Sequence, residues 1–239
     1  MKFPFILTTL SSIIASPLRN LETQLLPKYS KIIGVDEAGR GALAGPVTAA
    51  AVCATYNVII DDSHSFDLNS LMIKGVDDSK VLSAKKREEI YEIITSASSI
   101  NENYIISSCH FVNEKVIDDI NILEASMLAM KESINDLITT HMLDTNECYG
   151  IIDGNKIPKG LSISARPLIK GDSLCYPCSL ASIIAKVSRD RFMVEMGHKY
   201  PEYGFEKHKG YATKAHLMAI HKYGASPIHR LSFKPLKGR

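Results

Sequence analysis

Four carboxylates in this 239-residue chain stand where apolar runs give way to glycine-containing turns. Asp36 and Glu37 end the run KIIGVDE and precede Gly39, Asp153 ends YGIID and precedes Gly154, and Asp172 follows Ile169-Lys170-Gly171. The ends of strands in one sheet lie side by side, so acids distant in sequence can converge. Clustered carboxylates repel one another in a low-dielectric site unless protons or cations neutralise them. A hard divalent ion suits an all-oxygen set, which favours Mg²⁺ or Mn²⁺ over Zn²⁺. Two such ions about 4 Å apart can activate a water, align it with a phosphodiester and stabilise the leaving oxygen. Any one of these acids alone reads as a turn former or a helix cap. Only as a set, and beside a basic C-terminal third, do they favour the metal reading.

The stretch GVDEAGRGALAGPV, Gly34 to Val47, places Gly39, Arg40 and Gly41 directly behind the paired acids. Glycines on either side of an arginine let a second backbone approach, so this loop can press on a sugar-phosphate chain while Arg40 meets phosphate. It is not an NTPase loop, because GxxxxGK[ST] is absent and acids stand where phosphate would bind. No Ser/His/Asp nucleophile motif is visible either.

The elements that must position these residues follow from periodicity and punctuation. KIIGVD and PVTAAAVCAT (Pro46 to Thr55) read as two strands joined by the glycine-rich turn, a hairpin. Asp61 to Asp78 reads as a loop, Ser83 opens a helix containing Ile90, Ile93 and Ile94, and Tyr104 to Cys109 is a further strand. Apolar residues from Ile122 to Ile138 recur at helical spacing, predicting an amphipathic helix over Asn121 to Ile138. Tyr149 to Gly154 and Leu161 to Ile169 are strand candidates. Ser179 to Met196 is a long helix and Thr213 to Tyr223 a shorter one stopped by Gly224. The order predicts an α/β protein with a mixed sheet rather than a doubly wound one.

Bulk composition narrows the class. The net charge of +2 hides an asymmetry: Asp153 to Arg239 holds 16 of the 28 Lys and Arg residues but 6 of the 26 Asp and Glu. That third is a candidate surface for a polyanion, although a solvated basic face has the same composition. No apolar run is long enough to span a bilayer, so no membrane role is expected. Five cysteines, an odd number, form no disulfide framework and point to a reducing compartment. Residues 1–30 read as an N-terminal extension or targeting segment and residues 31–239 as the catalytic domain. The expected location is the cytoplasm, or an organellar matrix if residues 1 to about 20 are a transit segment.

The motifs together resemble the type 2 ribonuclease H family, ribonuclease HII. They are GVDEAGRGALAGPV, DDSKVLSAKKRE, NILEASMLAM, IIDGNKIP, KGDSLCYPCSLASIIAKVSRDRFM, HKGYATKAHL and SPIHRLSF, in order from about Lys31 to Phe233. The resemblance implies a ribonuclease H-like fold, a five-stranded mixed sheet with flanking helices and a helical C-terminal region. It implies hydrolysis of RNA in RNA–DNA hybrids and at single ribonucleotides in duplex DNA, leaving 3′-hydroxyl and 5′-phosphate ends, by a monomer using two Mg²⁺ or Mn²⁺ ions. Asp36, Glu37 and Asp153 match the family's metal ligands and Asp172 its fourth active-site carboxylate. Gly39, Arg40 and Gly41 match the loop that reads the ribose 2′-hydroxyl, the group that separates RNA from DNA. Tyr211 matches the tyrosine stacked on the sugar beside the scissile junction.

Lys80 and Asp190 resemble family positions near the site, and also fit ordinary surface and salt-bridge roles. Ala42 replaces the family's usual proline, which removes a fixed φ and is expected to loosen the loop. Cys175 and Cys178 form a C-x-x-C without a second ligand pair and read as ordinary reduced thiols. His208, His216 and His221 read as helix-surface or phosphate-side residues. Two other readings stay open at this point: a binding module that kept the fold and lost the chemistry, and a different two-metal phosphotransferase on the same sheet.

Overall fold

The computed structural model describes residues 20–26, 28–55, 76, 82–97 and 105–237. In chain order its elements are α1 (Asn20–Leu25), β1 (Lys31–Ala38), β2 (Val47–Thr55), α2 (Ala84–Ala97), β3 (Ile105–Val112), α3 (Glu114–Thr140), β4 (Cys148–Asp153), β5 (Ser164–Leu168), α4 (Gly171–Leu174), α5 (Tyr176–Lys199), α6 (Phe205–His208) and α7 (Lys214–Tyr223). The five strands form one sheet in the order β3-β2-β1-β4-β5. β1 is central, antiparallel to β2 and parallel to β4. β3 pairs antiparallel with β2, and β5 parallel with β4, so the sheet is mixed as expected.

Both faces of the sheet are covered, which is why its inner strands read as continuous apolar runs rather than alternating ones. Ile33, Val35, Ala49 and Ala51 pack with Ile134 and Leu137 of α3 on one face. Ala50 and Val52 pack with Ile90 and Ile94 of α2 and Leu180 and Ile184 of α5 on the other. The triplet Ala49-Ala50-Ala51, wholly buried, lets both helical layers approach the sheet closely. Pro167 is tolerated in β5 because that strand is an edge.

Several boundaries differ from the sequence expectation for local reasons. β1 continues past Asp36 through Glu37 to Ala38, because both acids still pair in register with Ala50 and Ala49 of β2. α3 begins at Glu114 rather than Asn121, capped by the Asn113 side chain, which accepts from the Val116 N–H at 3.1 Å. Asn121 is nevertheless a break within it: its φ is 67°, and its side-chain oxygen accepts from the N–H groups of Leu123 and Glu124. It recaps the helix at the position where the amphipathic pattern begins. α5 starts three residues before Ser179, since Pro177 in the first turn loses no helical hydrogen bond. α7 is capped by Thr213 and ended by Gly224, as the punctuation predicts.

Residues 1–19, Lys80 and, apart from Val76, the loop expected at Asp61 to Asp78 lie outside the described residues. From Asn20 onward the chain docks on the sheet: Leu21, Leu25, Leu26 and Tyr29 pack against Ile32, Ile151, Cys175 and Cys178. Among the described residues no helix is long and apolar enough to cross a membrane.

Among the described glycines, the closest approach of backbone to backbone is between β1 and the start of α5. A β-carbon on Gly34 would lie 2.2 Å from the Pro177 carbonyl carbon and the Cys178 nitrogen. The neighbours are backbone and cannot swing aside. Gly34→Ala is therefore expected to cost about 3 kcal/mol of stability, read as a lower urea midpoint. An unchanged midpoint would contradict this packing.

Candidate active site

Strand alternation sorts the acids. Asp36 shares the β1 face of Ile32 and Gly34 that is packed beneath α5, and Asp153 shares the β4 face of Ile151. The parallel register pairs Val35 with Ile152, so the next residues, Asp36 and Asp153, emerge side by side. Asp172 descends on them from α4, nearly fully buried. Oxygens of Asp36, Asp153 and Asp172 all lie within 4.8 Å of one another. Glu37, on the opposite pleat, is not part of this triad, and its carboxylate lies 3.5 Å from the exposed Arg40.

Backbone donors fix the triad. Asp36 Oδ1 accepts from the Glu37 N–H at 2.7 Å, and Asp153 Oδ1 from the Gly171 N–H at 2.6 Å. Burial first, then the negative charges of Asp153 and Glu37, hold the Asp36 carboxyl well above the usual carboxylate range. An all-carboxylate donor set in which Asp36 resists ionisation fits a hard divalent cation. Asp36, Asp153 and Asp172 are the residues placed to hold it.

The loop behind the acids is held by residues that sequence reasoning missed. Arg189 and Arg230 are fully buried. Arg189 donates from Nε to the Pro46 carbonyl at 2.9 Å and from Nη2 to Ala44 at 3.1 Å. Arg230 donates from Nε to Gly45 at 2.9 Å and from Nη1 to Arg40 and Ala42 at 3.1 and 2.8 Å. Buried guanidinium groups are costly unless hydrogen-bonded, and a row of carbonyls in one loop meets most of that need, leaving Arg189 Nη1 and Arg230 Nη2 without a partner among the described residues. Gly39, at φ 88°, leaves the space Arg189 occupies: a β-carbon there would lie 1.9 Å from its Nε. The signal for Arg189 was present in the sequence, because Ala185, Arg189 and Met193 continue one buried stripe of α5 at four-residue spacing.

This clamp also answers the question posed by Ala42. Its N–H donates to the Gly39 carbonyl at 3.3 Å, a bond proline could not make, and its carbonyl is bound by Arg230. The loop is thus tied down without a fixed φ. Its continuation is stitched to the C-terminal region through Leu43 N–H to Gly210 carbonyl at 2.8 Å and Arg230 N–H to Leu43 carbonyl at 2.9 Å.

Tyr211, more than a third exposed, lies with its ring centroid 5.4 Å from the Arg189 guanidinium carbon. Arg189 therefore joins the Gly39–Arg40–Gly41 loop to Tyr211. The backbone of Tyr211 is held by histidines that differ from the sequence expectation. Of His208, His216 and His221, His216 is buried rather than on the helix surface, His208 is half-buried and His221 is exposed. The Ser226 N–H donates to His229 Nδ1 at 2.8 Å, which leaves the His229 proton on Nε2 to donate to His216 Nε2 at 3.0 Å. His216 Nδ1–H then donates to the Tyr211 carbonyl at 2.9 Å. His208 stacks on His216 with ring centroids 4.3 Å apart. Burial pushes both His216 and His229 down to about 4, so the relay is neutral at physiological pH.

The remaining candidates separate. Asp190 pairs with Lys186 at 2.8 Å one helical turn away and stands outside the carboxylate triad. Cys175 and Cys178 are free thiols and both are buried.

The pattern of one protein family, ribonuclease HII, matches residues 33–236. A relative from Caldicellulosiruptor bescii named ribonuclease HII is 47% identical over 214 residues, 89% of this chain and 91% of its own. Among solved structures, ribonuclease H2 from Pyrococcus horikoshii is similar with a TM-score of 0.63 at 26% identity, over 86% of this chain and 95% of that one. Bst-RNase HIII, solved in complex with Mn²⁺, shares the fold with a TM-score of 0.64 at 19% identity, over 93% of this chain and 72% of that one.

Two predictions follow from the ionisable groups. Because the Asp36 pKa is raised above its ordinary 3.8, the stability it contributes is present at low pH and lost as pH rises through the folded value. In EDTA at pH 8, Asp36→Asn should therefore raise the melting temperature, by about 2–4 °C per kcal/mol relieved, while shrinking the further rise that Mn²⁺ gives the wild type. A lower melting temperature in EDTA would count against it. For His216 and His229 the sign is opposite. Their lowered values mean stability is fully present above the ordinary 6.5 and is lost as pH falls toward about 4. Urea midpoints should drop by a few kcal/mol equivalent between pH 7 and pH 4.5, and the drop should be shallower in His229→Gln. A profile unchanged by that substitution would contradict the neutral relay.

Proposed function

Since the chain belongs to the ribonuclease HII family, we propose that it is a metal-dependent endoribonuclease acting on RNA–DNA hybrids and on single ribonucleotides embedded in duplex DNA. The observation that carries this reading is the convergence of Asp36, Asp153 and Asp172 within 4.8 Å, next to a loop whose carbonyls are held by two buried arginines.

In this reading Asp36, Asp153 and Asp172 hold two divalent ions, Mg²⁺ or Mn²⁺, and Glu37, whose charge acts on Asp36 from the neighbouring pleat, completes the acidic set. When bound, such ions supply an activated water and stabilise the leaving 3′ oxygen, giving 3′-hydroxyl and 5′-phosphate ends. The chain's own residues do the selecting. Gly39, Arg40 and Gly41 offer backbone groups to the ribose 2′-hydroxyl, and the Arg189 and Arg230 clamp fixes where those groups stand. Tyr211 stacks on the neighbouring sugar, with its backbone held by His216. Lysines and arginines of the C-terminal third hold phosphates without reading sequence. Asp190 keeps Lys186 near the Tyr211 ring, 5.9 Å from its centroid, rather than binding an ion.

The test is cleavage of a duplex carrying one ribonucleotide in the presence of Mg²⁺ or Mn²⁺, beside an all-DNA control. Cleavage at the ribonucleotide alone is expected. Asp153→Asn should still bind the duplex but lose at least about 100-fold in turnover, no less than the loss typical of weakened metal-site partners. No cleavage with either ion, or equal cutting of all-DNA duplex, overturns the reading.

A further inference from the structure

Asp172 reaches the carboxylate triad from α4, a single turn that runs directly into the first turn of α5. The helix junction between them has no cap of its own. Cys175 stands at the N-cap of α5 and makes no side-chain capping bond, and Pro177 brings no N–H. The Tyr176 N–H at the start of this 24-residue helix is buried and needs an acceptor from elsewhere.

That acceptor comes from the other end of the chain. Glu22 of α1 is 3% exposed, and its Oε1 accepts from the Tyr176 N–H at 2.7 Å across 154 residues. A carboxylate at this place also faces the positive end of the α5 dipole. The bonds on either side lead straight into the site. The Cys175 N–H donates to the Gly171 carbonyl at 2.9 Å, and the Gly171 N–H donates to Asp153 Oδ1 at 2.6 Å. Ser179 Oγ donates to the Asp172 carbonyl, and the Cys178 thiol to the Ile151 carbonyl at 3.3 Å, two residues before Asp153.

The geometry points to Glu22 as a positioning residue that fixes the α4–α5 junction, and through it the placement of Asp172 and Asp153. It lies outside the stretch matched by the family pattern, which begins at residue 33. The N-terminal helix is therefore a working part of the metal site in this chain. This rests on the proposed role of the triad as a cation site.

The experiment uses the full chain and Mn²⁺ alone as probe, followed by cleavage of the single-ribonucleotide duplex, all well below the melting temperature. Glu22→Ala should weaken Mn²⁺ binding by about 10-fold and lower kcat with KM for the duplex unchanged, while Glu22→Gln, which keeps an acceptor oxygen, stays within about twofold of wild type. Amide exchange over 171–176 should quicken in Glu22→Ala, and this readout does not depend on any metal. Equal Mn²⁺ affinity and kcat in Glu22→Ala, even with a lowered melting temperature, overturns the inference and leaves the triad standing. Absence of Mn²⁺ binding by the wild type overturns the triad's role and the inference with it.

Discussion

Holding three carboxylates within 4.8 Å of one another is the constraint on which the rest of the structure depends. Like charges at that separation do not assemble unless a rigid frame imposes the geometry and something neutralises the charge. The frame is the parallel pairing of β1 with β4, which sets Asp36 and Asp153 side by side, and the α4–α5 junction, which brings Asp172 down on them. Gly34 serves the same end, because α5 can press on β1 only where there is no side chain. Asp36 resists ionisation first because it is buried and then because the charges of Asp153 and Glu37 crowd it, and a bound cation would offset both.

A second constraint of opposite sign lies next to the first. Arg189 and Arg230 are buried, and carbonyls of the Arg40–Pro46 segment receive their N–H groups. A flexible glycine-containing loop is thereby converted into a fixed row of backbone groups. The neutral His216–His229 relay does the same for the segment at Tyr211. In the proposed reading, selectivity through backbone groups needs such bracing, since a loose loop would lose on each encounter the entropy that these bonds remove in advance.

The legibility of these features tracks how local their causes are. β2, β4 and α7 were written in short windows: a run of small apolar residues, an apolar run ending in Asp-Gly, a Thr cap with a Gly stop. The extension of α3 back to Glu114 was missed although its Asn113 cap is local, whereas the burial of His216 was not legible because it depends on partners on other segments, Tyr211 and His229. Arg189 was half-legible. Its spacing placed it on the buried stripe, but its charge argued for the surface, and only the carbonyls of a loop 143 and 145 residues away reconcile the two.

By itself, then, the sequence determined the family, the mixed sheet and the identity of the acids, because strand periodicity, glycine punctuation and the motif order are properties of contiguous residues. Only the tertiary structure decided that Asp36, Asp153 and Asp172 form the close triad while Glu37 faces the other pleat. It also decided that two arginines clamp the loop and that Glu22 caps α5. The physical reason is common to all of these: hydrogen-bond satisfaction and charge neutralisation inside a fold are settled by whichever groups the packing brings within about 3 Å, and that is not a function of distance along the chain.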